Sequence, residues 1–145
     1  NKQVSNKMTI IWKWIPQKCL GPFILGEQID VYQENYNLVQ VNEPEDGTDW
    51  NSYQVDDFEI FIDVESGSGI IESIRSSDFF YYKDQNIIGL TLIDLNKLLS
   101  SISPEIDDVV KYDNGDIQTS YDYDEFGLQV WTSNNHIVGI TCINQ

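Results

Sequence analysis

Ser120-Tyr121-Asp122-Tyr123-Asp124-Glu125-Phe126 lies near the end of the chain, and Ser52-Tyr53-Gln54-Val55-Asp56-Asp57-Phe58 is written on the same plan. After each Phe, apolar residues alternate: Ile60, Ile62 and Val64 in the first copy, Leu128 and Val130 in the second. Period-two alternation followed by a Gly or Asn turn reads as a β-hairpin with one buried face. The turns are Ser66-Gly67-Ser68-Gly69 and Ser133-Asn134-Asn135. The return strands are Ile70 to Ile74 and Ile137 to Ile140.

Working outward, Ile29-Asp30-Val31 precedes the first hairpin much as Ile93-Asp94-Leu95 precedes the second. Both triplets sit in stretches read as helices, Glu27 to Asn37 and Leu92 to Ser101. The second has Thr91 as N-cap, Asp94 at the capping-box position, an apolar stripe of Leu92, Leu95, Leu98, Leu99 and Ile102, and Pro104 as its stop. The repeated unit is then a helix followed by strands, about 65 residues long. This predicts one α+β domain spanning 1–145, built from two related halves of about 9–83 and 84–145. In each half a short helix packs on antiparallel strands.

Between these landmarks, Thr9 to Ile15 reads as a strand ended by Pro16, Leu38 to Val41 as a short strand, and Asp78 to Lys83 as an aromatic strand. Asp84-Gln85-Asn86 reads as the turn after it. Asp113-Asn114-Gly115-Asp116 has hairpin-turn chemistry between Val109-Lys111 and Ile117-Thr119. The polar segment Asn1 to Lys7 is expected to fray. Ile60, Ile62, Leu92, Leu95, Leu98, Leu128, Val130, Ile137 and Ile140 are expected in the core, with Trp12, Phe58 and Phe126 largely buried.

Charge separates the function classes. The chain carries 24 acidic and 8 basic side chains, a formal −16. Four of the bases (Lys2, Lys7, Lys13, Lys18) precede Cys19, so the remainder holds 24 acids against 4 bases, a formal −20. Such a surface repels nucleic-acid phosphates and anionic lipid and attracts basic proteins from a distance. Cys19 and Cys142 lack CxxC spacing and read as buried free thiols of a reducing compartment, the alternative being one disulfide between them. No stretch approaches the roughly 18 apolar residues of a membrane-spanning helix. The start at Asn1 fits either a removed leader or a trimmed beginning.

Catalytic and metal chemistry finds little to work with. The single histidine, His136, and Cys142 share strand parity but stand about 20 Å apart along an extended strand, too far for a dyad. Asp122 to Gly127 opens like a calcium-binding loop, yet Phe126 fills a ligand position and Ser133 stands where the bidentate Glu belongs. Gly67-Ser68-Gly69 lacks the following helix of a phosphate-binding loop. Adjacent acids such as Asp56 with Asp57 and Asp124 with Glu125 point to opposite faces of a strand, which makes them poor acid–base couples. No enzyme activity, cofactor or metal is expected.

Lys18-Cys19-Leu20-Gly21-Pro22-Phe23-Ile24-Leu25-Gly26, then Ile29-Asp30-Val31, then Tyr53 to Ile62 resembles a recurring sequence in bacterial immunity proteins of contact-dependent growth inhibition and related polymorphic toxin systems. The resemblance implies a cytoplasmic, non-enzymatic protein that binds and blocks one cognate toxin, often a nuclease. A second, architectural resemblance is to the secreted inhibitors of β-lactamase, which also use tandem helix-plus-sheet repeats, and a sheet-edge adaptor is the third class. The resemblance transfers no binding residues, so charge and expected exposure select them. They are Asp113, Asp116, Asp122, Tyr123, Asp124 and Glu125, with Asp56, Asp57 and Glu59 from the related edge, and Trp50. Trp50 reads either as an anchor under its own domain or as an exposed contact; Tyr123 is expected exposed beside it. The expected partner is a basic toxin protein, with no direct contact to nucleic acid or membrane.

Overall fold

The computed structural model describes residues 10–42, 50–100 and 104–145. Three very short strands come first, β1 (Trp14–Ile15), β2 (Cys19–Leu20) and β3 (Phe23–Ile24), and form a small antiparallel sheet in that order. A single helical turn, α1 (Asp30–Gln33), leads into β4 (Leu38–Gln40), β5 (Trp50–Val55), β6 (Ile60–Glu65) and β7 (Ile71–Ser76). The hairpin β8 (Tyr81–Tyr82) and β9 (Gln85–Asn86) and the helix α2 (Leu92–Leu99) follow. The chain ends in β10 (Glu105–Lys111), β11 (Ile117–Tyr123), a 3-10 turn (Asp124–Phe126), β12 (Leu128–Ser133) and β13 (His136–Ile143).

The main sheet has eight antiparallel strands in the order β10-β11-β12-β13-β7-β6-β5-β4. It consists of two four-strand meanders joined along their last strands, β13 and β7. The alternation that marks the hairpins in the sequence sends Ile60, Ile62 and Val64 of β6, and Leu128, Val130 and Thr132 of β12, to one buried face. Ile71 and Ile74, and likewise Ile137 and Ile140, are three residues apart yet buried together. A bulge explains each pair: Asp63 pairs Ser73 and Val64 pairs Ile71, skipping Glu72, while Trp131 pairs Gly139 and Thr132 pairs Ile137, skipping Val138.

Leu95 and Leu99 of α2, Ile87, and an aromatic group from the short strands cover that face. Trp14 packs on Phe80 and Tyr82 with ring centroids 5.5 and 5.0 Å apart, and Trp12 stacks on Phe23 at 5.9 Å. The opposite face of the sheet carries no covering element among the described residues. No helix among them is long and apolar enough to cross a membrane.

Several sequence expectations change. The helix expected over Glu27 to Asn37 shrinks to one turn, since so short a segment recovers little of the nucleation cost; Tyr32 and Tyr36 instead pack edge-on against Phe23, both at 5.1 Å. Of the described part of the first expected strand, residues 10–15, only Trp14–Ile15 forms one, with Trp12 and Trp14 buried and Lys13 bridging Tyr81 between them; Thr9 lies outside the described residues. The aromatic strand reduces to Tyr81–Tyr82: Ser76 Oγ accepts from the Asp78 and Phe79 N–H groups (3.2 and 3.1 Å), holding that stretch in a turn. The turn that follows is Lys83-Asp84, both at positive φ, and Gln85-Asn86 belongs to the return strand. Phe58, Phe126, Leu92 and Leu98 are half-buried at the margin of the core. The frayed segment Asn1 to Lys7 and the helix-stripe residue Ile102 lie outside the described residues.

The expectations for α2 and for the thiols hold. Thr91 Oγ1 accepts from the Asp94 N–H at 3.2 Å, as an N-cap should. Both cysteines are free and buried, and burial pushes the Cys142 thiol up to about 12.

Two glycines tie the approach to each helix to the last strand of its meander. Gly26 N–H donates to the Ile71 carbonyl (2.8 Å) while Ile71 N–H donates to Glu27; Gly89 N–H donates to Ile137 (2.8 Å) while Ile137 N–H donates to Leu90. Their φ angles, +85° and +98°, are rarely reached by residues with a Cβ. Gly89→Ala, which meets no atom within 4 Å, isolates that backbone term. It is expected to lower the unfolding free energy in urea by about 1–2 kcal/mol; an unchanged midpoint would mean the strand start tolerates another conformation.

Candidate binding face

On the uncovered face, the side chains that alternate with the core point outward from the seam between β7 and β13. Arg75, the single arginine of the chain, sits at the seam, where it pairs with Thr141 in register. Its guanidinium lies over the Phe61 ring at 4.6 Å and its Nε donates to Asp63 at 3.3 Å. Asp63 also accepts from Ser52 Oγ (2.5 Å) and Ser73 Oγ (3.2 Å), which fixes its carboxylate. Arg75 and Asp63 are solvent-accessible, so the pair orients side chains more than it stabilises the fold.

Two clefts flank this residue. The first, about 380 Å³, is lined by Trp50, Asp63, Glu72, Gln129, Thr141 and Ile143. The second, about 360 Å³, is lined by Glu59, Phe61, Tyr112, Trp131 and Gly139 among others. The first is acidic with one exposed indole, and the second is aromatic. A third concavity, about 570 Å³, lies on the short strands between Trp14, Pro16 and Tyr82. Among the described residues no group of three or more His, Cys, Asp and Glu side chains could hold a metal ion.

The expected site residues do not form one patch. Register places the β5–β6 and β10–β11 turns at one end of the sheet, since Ile60 pairs Ser76, Ser76 pairs Ile140, and the β11–β12 ladder runs from Gln118↔Ser133 to Tyr123↔Leu128. Asp56, Asp57, Glu59, Asp113 and Asp116 therefore share the end that holds the aromatic cleft. Asp122, Asp124 and Glu125 stand at the other end, about 20 Å away along the seven residues of β11. Trp50 is 47% exposed and lines the acidic cleft, so its ring is not tucked under its own domain.

Tyr123 is a correction. It is 3% exposed, because its position in β11 faces the core, where its hydroxyl donates to Asn96 Oδ1 of α2 at 2.6 Å and burial pushes its pKa up to about 12. Asp116 is drawn into its own hairpin: Ser133 Oγ and Gln118 Nε2 donate to it (2.6 and 3.3 Å) and hold its pKa below the usual value.

Asp122 goes the other way. Partial burial, then the charges of Asp107 and Asp124, push its carboxyl above the ordinary range. A raised folded-state pKa means that its favourable contribution is complete below the unfolded pKa near 4 and is lost as pH rises through the folded value. At neutral pH the ionised Asp122 is thus a liability to the fold. Asp122→Asn is expected to raise the thermal midpoint at pH 7 and to leave it nearly unchanged at pH 3; a fall at pH 7 would contradict the crowding of these carboxylates.

The outer edges of the sheet are poor docking sites. β10 is interrupted at Asp107, where the register with β11 shifts, and Asp108 Oδ1 takes the Val109 N–H at 2.8 Å; β4 is three residues long. Bulges, short strands and edge charges of this kind oppose pairing with a further strand.

Sequence reasoning missed Phe61, Arg75, Tyr112, Trp131 and Gly139. A signal was present: Phe61 and Trp131 are large aromatics at the outward parity of otherwise alternating strands, and Gly139 interrupts one. The chain matches no protein-family model, no curated protein and no solved structure.

Proposed function

We propose that this is an immunity protein: a non-catalytic, cytoplasmic inhibitor that binds a basic toxin domain, a nuclease by its charge, and covers its nucleic-acid groove. The observation that carries the reading is the uncovered sheet face, which presents Trp50, Phe61 and Trp131 around one arginine in a chain of net charge −16. Aromatic anchors supply desolvated contact area, and the acids draw in a cationic partner. An inhibitor needs only such a surface. The resemblance of Lys18 to Ile62 to immunity proteins supports the same class.

The face is read here as the product of an internal duplication. Ser52 and Ser120, Ile60 and Leu128, and Ile62 and Val130 are each 68 positions apart, and Tyr53 pairs Ile62 as Tyr121 pairs Val130. The two bulges, the two glycine ties and the hairpins β2–β3 and β8–β9 also correspond, and a boundary between halves just before β8, rather than at Lys83, fits this reading. Arg75 and Thr141 are then equivalent positions paired with each other, on a pseudo-two-fold axis. That axis exchanges the two clefts: Trp50 with Gln118, Asp63 with Trp131, Glu72 with Val138, and Gln129 with Phe61. Two copies of one surface have thus diverged into an acidic and an aromatic half.

The test is inhibition. The polypeptide encoded beside this chain, purified, should degrade RNA or DNA and lose that activity at one equivalent of this protein. Full activity at a tenfold excess would sink the proposal.

A further inference from the structure

Gly139 lies inside β13, opposite Trp131, at the floor of the aromatic cleft. Glycine in a strand interior is destabilising relative to alanine and needs a local reason. The backbone does not demand it: Gly139 borders the bulge in β13, but Ser73 borders the β7 bulge in the same way, and Gly139 is not among the positive-φ residues. Sterics do not demand it either, since the nearest atoms to an added Cβ would be Ser77 Oγ at 3.7 Å and Ser76 O and Trp131 Cβ at 3.9 Å, ordinary contact distances. Gly139 lines the cleft together with Phe61, Arg75 and Trp131, and the side chain it lacks would stand beside the Trp131 Cβ, so its absence leaves that part of the cleft open.

We infer that the aromatic cleft, kept open by Gly139, receives one apolar side chain of the partner protein, set within a ring of that partner's lysines and arginines. This deepens the inhibitor reading and rests on it. The cleft volume of about 360 Å³ accommodates a single large side chain with its flanking backbone. Phe61 and Trp131 line it, as does Tyr112, which is 44% exposed. Glu59 also lines it, and Asp57 and Asp113 are exposed at the same end of the sheet. An apolar anchor surrounded by cations matches that arrangement: the centre is desolvated and the rim pairs charges in solvent. A partner inserting a cation into the cleft itself would meet Arg75 there.

The test fills the cleft without touching a charge. Gly139→Val places a strand-favouring side chain where the backbone accepts one. The thermal midpoint is expected to stay the same or rise, while affinity for the adjacent-gene toxin falls by at least about 30-fold, the scale of an interface hot spot. Trp131→Ala should lose a similar factor, and Asp124→Asn with Glu125→Gln, at the far end, should change affinity by less than about threefold. If valine lowers the midpoint, Gly139→Ala together with Trp131→Ala reads the same cleft. Affinity within twofold of the parent for both Gly139→Val and Trp131→Ala overturns the inference and leaves the inhibitor reading standing. No binding by the parent protein overturns both.

Discussion

Ile74→Ala and Ile140→Ala are each expected to lower the unfolding free energy by about 2–5 kcal/mol, the range for truncating a fully buried isoleucine. Ile74 and Ile140 are 0% and 1% exposed, on the two strands whose pairing joins the meanders. β13 and β7 pair over four residues, Ile140 to Ile143 against Ser76 to Ser73, with an Asn144 N–H to Glu72 carbonyl bond of 2.8 Å beyond them. Each truncation removes methyl groups from the core and leaves a void that strands bonded on both sides are poorly placed to close. In a domain of this size that loss corresponds to roughly 4–20 °C in thermal midpoint. The two variants should resemble each other, because both side chains are fully buried on the two strands that form the seam. A cost below about 1 kcal/mol for either in urea titration would mean that the seam packs differently or that the two meanders separate before they unfold.

The second large effect is kinetic. Association with the basic partner is expected to slow by about 10- to 1,000-fold as salt rises from about 0.01 to 1 M, because the screening length contracts from roughly 30 to 3 Å. With 24 acids against 4 bases after Lys18, the field is nearly uniform in sign, so steering acts over the whole approach. Neutralising Asp57, Glu59 and Asp113 together should flatten this dependence more than neutralising Asp122, Asp124 and Glu125, since the first set lies beside the aromatic cleft. Stopped-flow association at several ionic strengths reads both effects. Dissociation should respond mainly to Trp131→Ala and hardly to salt. An association rate indifferent to salt would remove charge steering from the account.

How much was legible in the sequence follows from which interactions are local. The hairpins at Ser52 to Ile74 and Ser120 to Ile143 were readable because period-two alternation records a buried face directly, and the Thr91 cap with its leucine stripe marked α2 for the same reason. The pairing of β7 with β13 was not readable: contact between residues such as Ile74 and Cys142 depends on the whole fold and leaves no local pattern. The bulges were hidden as well, since Glu72 and Val138 look like ordinary strand residues. Of the candidate surface, the acids were found by charge alone. Sorting them into two ends required the ladder register. Tyr123 was misplaced because the Tyr-Asp alternation of β11 was read as anchors and acids on one exposed edge, whereas its parity sets Tyr123 inward. Arg75 drew no attention in a chain noted for its acids, although one cation at the middle of a sheet face is the more specific feature.

Oxidative footprinting of the purified complex tests the central claim, that a basic partner sits on the uncovered sheet face, most directly. Solvent-accessible aromatic side chains are labelled in the free protein and again in the complex, and the change is read residue by residue. The account predicts that Trp131, Phe61 and Tyr112 become protected together with Trp50, while Phe126 beside the Asp124 turn and Phe79 on the covered side keep their labelling. Protection confined to Phe126 and Phe79, with Trp131 and Trp50 labelled as in the free protein, would contradict it.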